Sequence, residues 1–145
     1  MYQILITPFI AALAAQLIKL TIKSNNLKLN WRSLISYSGM PSSHAAMAAS
    51  LATSVGLTEG VNSPIFAACV VFSFFIIRDA LGIRQYVGQH GAVLNDLIKN
   101  LRQDKIGPEK EYPVLIEKIG HTPAQIIAGI LLGFLISWFS FICLA

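Results

Sequence analysis

Charged residues and cysteines are scarce in this sequence. Only 12% of the 145 residues are charged and 54% are hydrophobic, whereas soluble domains carry about 25% charged residues. This composition argues against a soluble globular protein and indicates a membrane protein. The two cysteines, Cys69 and Cys143, lie in apolar runs without a Cys-x-x-Cys or Cys/His pattern. We therefore expect buried thiols rather than a disulfide or a metal site. No carboxylate-rich cage is visible, and we expect neither a metal nor another cofactor.

Four apolar segments come close to the roughly 20 residues that cross a membrane as a helix. They cover about 4–22, 42–57, 64–86 and 122–144. The second is short and rich in small residues, which favour close helix packing in membranes. The first lacks a basic stretch before it and a small-residue cleavage site, so we predict a span rather than a signal peptide. The expected fold is all-α: one domain, residues 1–145, with four transmembrane helices.

The basic residues are distributed asymmetrically between the two sides of the membrane. If the four spans alternate in direction, all 11 Lys and Arg fall on one side. The opposite side has only the two termini and a short turn, 57–63, that carries Glu59. The positive-inside rule makes the basic side cytoplasmic. We expect an integral protein of the bacterial inner membrane with both termini outside.

The cytoplasmic segment, 87–121, contains an amphipathic pattern. Five apolar residues recur at helical spacing, with polar residues opposite them: Val93, Leu94, Leu97, Ile98 and Leu101. This pattern predicts a helix in the membrane interface or packed under the bundle. Residues 102–112 are polar and contain Gly-Pro, so we expect an exposed loop there.

Polar stretches from separate parts of the chain are predicted to meet at the cytoplasmic face. They are GMPSSHAA at the start of the second span, RDALGIR at the end of the third and GHTPAQ at the start of the fourth. Lys19 ends the first span on the same side. Two of these stretches are helix N-termini, whose free N–H groups attract anions.

Each polar residue also has a purely structural interpretation. Ser42, Ser43 and Thr122 are suited to cap helices, and Arg78 beside Asp79 suggests a charge pair. Capping and pairing do not explain two histidines that each open a helix beside cations on one face. An anion pocket with two imidazoles does, and in a membrane the expected anion is a lipid phosphate.

Pro41-Ser42-Ser43-His44 resembles the Pro-Ser-Gly-His motif of the type 2 phosphatidic acid phosphatase and vanadium haloperoxidase superfamily. Together with DALGIRQYVGQ and then GHTPAQIIAGILLG, it is similar to the divergent branch of that superfamily, from residue 16 to residue 133. This branch comprises short membrane proteins described as acid phosphatase or haloperoxidase related.

The resemblance implies a metal-independent phosphatase that cleaves a lipid or isoprenoid phosphate or diphosphate through a phosphohistidine. It assigns His121 as the nucleophile and His44 as the general acid. We assign Asp79 as the carboxylate that supports catalysis. The residues assigned to substrate binding are Lys19, Ser42, Ser43, Arg78, Arg84 and Gln125.

The sequence departs from the superfamily pattern in its charged residues. No Arg-Pro follows Lys19 at the expected spacing, and Gln125 stands where an aspartate orients the nucleophile. Asp79 is expected to replace that carboxylate, and Arg78 or Arg84 the missing arginine. A second alignment uses Arg84-x5-His90 and makes His90 the nucleophile, but that block does not begin a helix. We therefore favour His121.

These departures leave a second class of function open, a non-enzymatic protein that binds or transports a phospholipid through a degenerate site. The expected partners are membrane lipids and a phosphorylated lipid, with no nucleic acid. Four spans make a small site, so we expect the amphipathic helix, or a second subunit in a homo-oligomer, to complete it.

Overall fold

The structure, a computed structural model, describes residues 2–22, 25, 38–103 and 112–144. This part of the chain forms five α-helices: α1 (Tyr2–Thr21), α2 (Ser43–Glu59), α3 (Pro64–Leu81), α4 (Ile83–Gln103) and α5 (Pro123–Leu144). It contains no strand, and the prediction of an all-α protein is confirmed. Most of the predicted loop, residues 104–111, lies outside the described residues, as do Lys23, Lys28 and Arg32.

Polar residues define where the helices begin. The Ser42 side chain accepts a hydrogen bond from the Ala45 amide and starts α2. Ser63 accepts one from the Phe66 amide, and Pro64 occupies the first turn of α3. Serine oxygens satisfy amides that have no partner within the helix, and proline tolerates the first turn because its missing N–H is not needed there. The starts of α2 and α3 therefore follow from local chemistry.

Three helical stretches are long and apolar enough to cross a membrane. They are Tyr2–Thr21, Pro64–Gln103 and Pro123–Cys143. The second contains α3 and continues into α4. The 17-residue α2 is not among them, so the fourth predicted span remains a prediction. Length and hydropathy thus define an all-helical membrane protein with three candidate spans.

The helix predicted for the third span is interrupted. We expected a single helix over 64–86, but α3 ends at Leu81 and α4 begins at Ile83. Gly82 separates them with φ −112° and ψ −89°, and its N–H donates to the Arg78 carbonyl oxygen. Because the residues on both sides of Gly82 are apolar, the hydropathy pattern did not reveal the break. The helix expected around residues 93–101 is therefore longer than predicted.

The core of the bundle is formed by α2, which packs against α1, α3 and α5. The contact between α2 and α5 is close because Gly129 and Gly133 face the α2 backbone. A Cβ at Gly129 would collide with the Ser42 carbonyl oxygen, and one at Gly133 with that of Ala46. Small residues four positions apart allow helices in membranes to approach in this way.

Hydroxyl groups supplement this close packing. The Ser50 and Ser137 hydroxyls lie 2.7 Å apart, and Ser137 also donates to the Ser50 carbonyl oxygen at 3.0 Å. Ser54 donates to Ser137 at 3.2 Å. Buried hydroxyls need such partners in an apolar environment. These bonds fix the α2–α5 pair, and with it the relative position of the two helix starts that carry the histidines.

The prediction that both cysteines are buried was wrong. Cys69 is partly exposed and Cys143 is exposed, and both are free thiols. Their apolar neighbours were taken as evidence of a protein core. Many large apolar side chains of these helices are exposed, for example Phe72 at 66% and Phe139 at 71%. In a membrane protein such runs face lipid as well as the core, so an apolar neighbourhood does not imply burial.

Candidate functional site

Two histidines from distant parts of the sequence lie together. His44 is in the first turn of α2, and His121 precedes the start of α5 at Pro123. Their imidazole centroids are 6.1 Å apart, with ring planes at 73°. The Ser42 N–H donates to the Gln125 carbonyl oxygen at 2.9 Å, and the His121 N–H donates to the Ala80 carbonyl oxygen at 3.1 Å. Backbone bonds thus hold the starts of α2 and α5 to each other and to the end of α3.

His121 is almost fully enclosed, with 2% of its surface exposed. Neither of its ring nitrogens has a hydrogen-bond partner in the part of the chain that the structure describes, and the same holds for His44 Nδ1. Buried polar atoms are nearly always hydrogen-bonded in native proteins, because leaving them unsatisfied costs free energy. These imidazole nitrogens are therefore groups that a ligand or a water can satisfy.

The surroundings of His121 keep its imidazole neutral. Burial, and after it the nearby charges of Lys19, His44 and Arg84, together lower its pKa from 6.5 to about 4. The charged form is disfavoured both by loss of hydration and by cations. A neutral imidazole retains a free lone pair near pH 7, as a nucleophile requires.

Arg84 connects a carboxylate to His44. Its Nε donates to Asp79 Oδ2 at 2.6 Å, and its Nη1 lies 3.5 Å from His44 Nε2. The ion pair is only partly buried, with 31% of the Arg84 side chain and 37% of the Asp79 side chain exposed. The guanidinium therefore remains available to an anion beside His44, while Asp79 fixes its direction.

Asp79 is not placed as the sequence suggested. We expected it to orient His121 or to pair with Arg78, but its carboxylate pairs with Arg84, and no group in the described chain bonds the His121 ring nitrogens. Arg78 is exposed on α3. The break at Gly82 explains the difference, because it brings Arg84 back toward Asp79. Of the two candidate arginines, Arg84 is the one beside a histidine.

Lys19 lies buried at the end of α1, with 1% of its surface exposed. It is close enough to His121 to act on it electrostatically. Asn25, which sequence reasoning missed, holds this region in place. Its amide donates to the carbonyl oxygens of Lys19 and Met40, each at 2.9 Å, and accepts from the Met40 N–H at 2.9 Å. The only sequence signal is an asparagine soon after a helix end, where asparagine is common.

Gln125 and Ser42 are occupied by helix capping. The Gln125 side-chain oxygen accepts the Thr122 N–H at 3.0 Å, and the Thr122 hydroxyl accepts the Gln125 N–H at 3.4 Å. This reciprocal pair is a capping box at the start of α5. Ser42 Oγ accepts the Ala45 N–H at 3.3 Å. Ser43 follows it and is buried at 8% exposure.

The rival nucleophile, His90, is exposed on α4. The enclosed His121, and not His90, lies beside His44. Among the described residues, no group of three or more His, Cys, Asp or Glu is placed to hold a metal ion.

The histidines border two cavities of different character. One of about 380 Å³ is lined by His44, Asp79 and Arg84 together with apolar residues of α1, α2 and α3. The other, of about 250 Å³, is lined by His121, Lys118 and mainly polar groups such as Asn25 and Gln85. The site thus has an apolar side at His44 and a polar side at His121.

Two histidines and an arginine meet at the helix ends of this all-helical membrane protein. This arrangement is consistent with a phosphatase-like membrane protein. The chain belongs to the Divergent PAP2 family, whose family model matches residues 1–136. The chain is 32% identical to a Bacillus subtilis (strain 168) protein named "Uncharacterized membrane protein YuiD", and the match covers 92% of this chain and 90% of that protein. No solved structure matches the chain.

Proposed function

We propose that this protein is a membrane phosphatase that hydrolyses a phosphorylated lipid, such as a lipid or isoprenoid phosphate or diphosphate, at the cytoplasmic face. The observation that carries the proposal is the enclosed His121, whose ring nitrogens are unsatisfied within the described chain, beside His44 at 6.1 Å. Membership of the Divergent PAP2 family supports the same chemistry.

In the first proposed step, the neutral imidazole of His121 attacks phosphorus and forms a P–N bond. The bond from phosphorus to the lipid oxygen breaks, and the electron pair moves to that oxygen. Protonated His44 gives its proton to the oxygen, so the lipid leaves as an alcohol, or as a monophosphate if the substrate is a diphosphate. Protonation of a poor leaving group is the task of a general acid.

In the second step, water attacks the phosphohistidine. His44, now neutral, takes the water proton, the new P–O bond forms and the P–N bond breaks. Inorganic phosphate and neutral His121 are released. Lys19 and Arg84 offset the charge on the phosphoryl oxygens throughout, as cations do in other phosphoryl transfers. The proposed role of Asp79 is to hold Arg84, since its carboxylate pairs with that guanidinium.

The proposed topology has four spans, with α2 as the shortest, and places α4 in the cytoplasmic interface. Two observations support this placement of α4. Its apolar stripe is left uncovered, with Val93 67% and Leu97 51% exposed, and the last turn of α4 carries the basic residue Arg102. An uncovered apolar stripe on a helix with a polar opposite face is suited to lie in a membrane interface.

The experiment that tests the function is phosphate release by the purified protein in detergent, with EDTA present, from a panel of lipid phosphates and diphosphates. We expect release by the wild type that His121→Ala and His44→Ala both abolish. His90→Ala is the matched control, because His90 is exposed on α4, and it should retain full activity. Equal activity in His121→Ala would contradict the proposal.

One observation favours a second function, a non-enzymatic protein that binds or transports a phospholipid. The Gln125 oxygen is engaged by Thr122 and Asp79 by Arg84, so neither orients His121. An imidazole without an orienting group is a weaker nucleophile. A pure binder would retain lipid phosphate, release no phosphate and keep its affinity in His121→Ala, while Arg84→Ala would weaken binding.

A further inference from the structure

The cavity beside His44 is a groove with one polar end. Three ionisable or polar groups, His44, Asp79 and Arg84, lie together in its lining, and the remaining lining residues are apolar. A free phosphate or a sugar phosphate would have no use for the apolar part. The combination matches an amphiphile with an anionic head.

The apolar part of the groove runs along one face of α2. His44, Met47, Ala48 and Leu51 all line it, and their spacing places them on the same side of a helix. From His44 to Leu51 the groove extends about 10 Å at 1.5 Å per residue. Its length along the helix therefore suits a hydrocarbon chain lying parallel to α2.

The walls of the groove come from α1 and α3, which flank α2. Pro8 and Phe9 of α1 and Ile76 of α3 line it. Phe9 is 58% and Ile76 42% exposed, so the groove lies at the outer surface of the bundle. In a membrane that surface faces the lipid. A lipid chain can therefore enter sideways from the bilayer without leaving an apolar environment.

We propose that this groove holds the hydrocarbon chain of the phosphorylated lipid, with the phosphate beside His44 and Arg84. The inference rests on the proposed function and makes it more specific: it places the lipid oxygen, which is the leaving group, on the His44 side of phosphorus. His44 then lies next to the atom that it must protonate. The polar cavity at His121 lies on the other side, near Lys118.

The groove is tested first by binding, independently of turnover. The probe is a long-chain alkyl phosphate with a diazirine in the middle of its chain. It is photolysed with the wild-type protein in detergent, and the labelled residues are identified by mass spectrometry. We expect labelling at Met47, Leu51 and Phe9 that an excess of unlabelled alkyl phosphate prevents. Leu13 serves as the reference, because it is 60% exposed on the same helix as Phe9. If Leu13 is labelled as strongly as Leu51, or if unlabelled alkyl phosphate does not prevent the labelling, the proposal that the groove holds the lipid chain is wrong.

The second test fills the groove by substitution. Leu51→Trp should lower kcat/KM for a long-chain phosphate about tenfold relative to a water-soluble aryl phosphate, since the added bulk takes the space of the hydrocarbon chain. Leu13→Trp, a matched change on the exposed face of α1, should leave that ratio unchanged. If Leu51→Trp leaves this ratio unchanged while the wild type hydrolyses the long-chain phosphate, the proposal for the groove is contradicted. The proposal that the protein is a phosphatase is not.

The two proposals fail in different ways. If the wild type releases no phosphate from any substrate, the phosphatase function is wrong, and the labelling pattern alone then decides whether the groove binds the lipid chain. If phosphate is released but the probe labels the whole lipid-facing surface evenly, the groove is wrong and the function remains.

Discussion

His44 and His121 face each other edge to face, with ring centroids 6.1 Å apart, although one lies in the first turn of α2 and the other precedes α5. The close contact of Gly129 and Gly133 with the backbone of α2 sets this relationship, because it fixes how deeply the two helices interlock. Burial and neighbouring cations keep the His121 imidazole neutral. The same packing that holds the fold therefore encloses His121 beside His44.

Substitution of the general acid should have an effect that depends on the leaving group. His44→Ala should reduce kcat about 10²–10⁴-fold for a lipid phosphate, the usual contribution of general acid catalysis. The reduction should be much smaller for para-nitrophenyl phosphate, whose leaving group needs no proton. The measurement is kcat for both substrates in wild type and variant. Equal losses on the two substrates would show that His44 does not protonate the leaving oxygen.

The two nearby arginines should behave differently. Arg84→Ala should lower kcat/KM about a hundredfold, because it removes a cation beside His44 and leaves Asp79 without its partner. Arg84→Lys should recover only part of the loss, since lysine lacks the planar fork of arginine. Arg78→Ala is the control, as Arg78 is exposed, and should match the wild type. A larger loss in Arg78→Ala than in Arg84→Ala would refute the assignment.

Gln125 should contribute to the stability of the fold rather than to the reaction. Gln125→Ala removes half of the capping box at the start of α5 and should cost about 0.5–2 kcal/mol of stability. Gln125→Glu should preserve stability, because glutamate serves equally well in a capping box. Thermal unfolding in detergent measures both. The kcat of the folded Gln125→Glu variant should stay close to that of the wild type; a large change in kcat at constant stability would instead place Gln125 in the reaction.

The lowered pKa of His121 also predicts how stability depends on pH. The folded protein keeps this imidazole neutral down to about pH 4, whereas the unfolded chain takes up the proton near pH 6.5. Between these values the unfolded state binds more protons, so this residue makes stability fall as pH decreases from 6.5 toward 4. His121→Gln should flatten the dependence of the unfolding temperature on pH in that window. An identical pH dependence in the variant would show that His121 is not neutral in the folded state.

The helices, and the positions of the two histidines at helix starts, could be predicted from the sequence because their signals are local. A serine or threonine before an apolar run predicts a helix start, and His44 and His121 lie at such starts. The hydrogen-bond partners of Asp79 and Gln125 could not be predicted from the sequence. Asp79 meets Arg84 only because Gly82 interrupts the helix between the apolar residues Leu81 and Ile83, and Gln125 had two plausible partners, an imidazole and a backbone amide. Asn25 was missed because its role depends on bringing residues 19 and 40 together, which no local pattern encodes.

The most direct test of the proposed mechanism is to trap the phosphoenzyme. The purified protein would be mixed with a lipid phosphate labelled with ³²P on the phosphoryl group, quenched within the first turnover and digested under alkaline conditions that preserve phosphohistidine. The mechanism predicts one labelled peptide, containing His121, that is absent from His121→Ala and still present in His90→Ala. Phosphate release without any labelled histidine, or label on His90, would contradict it.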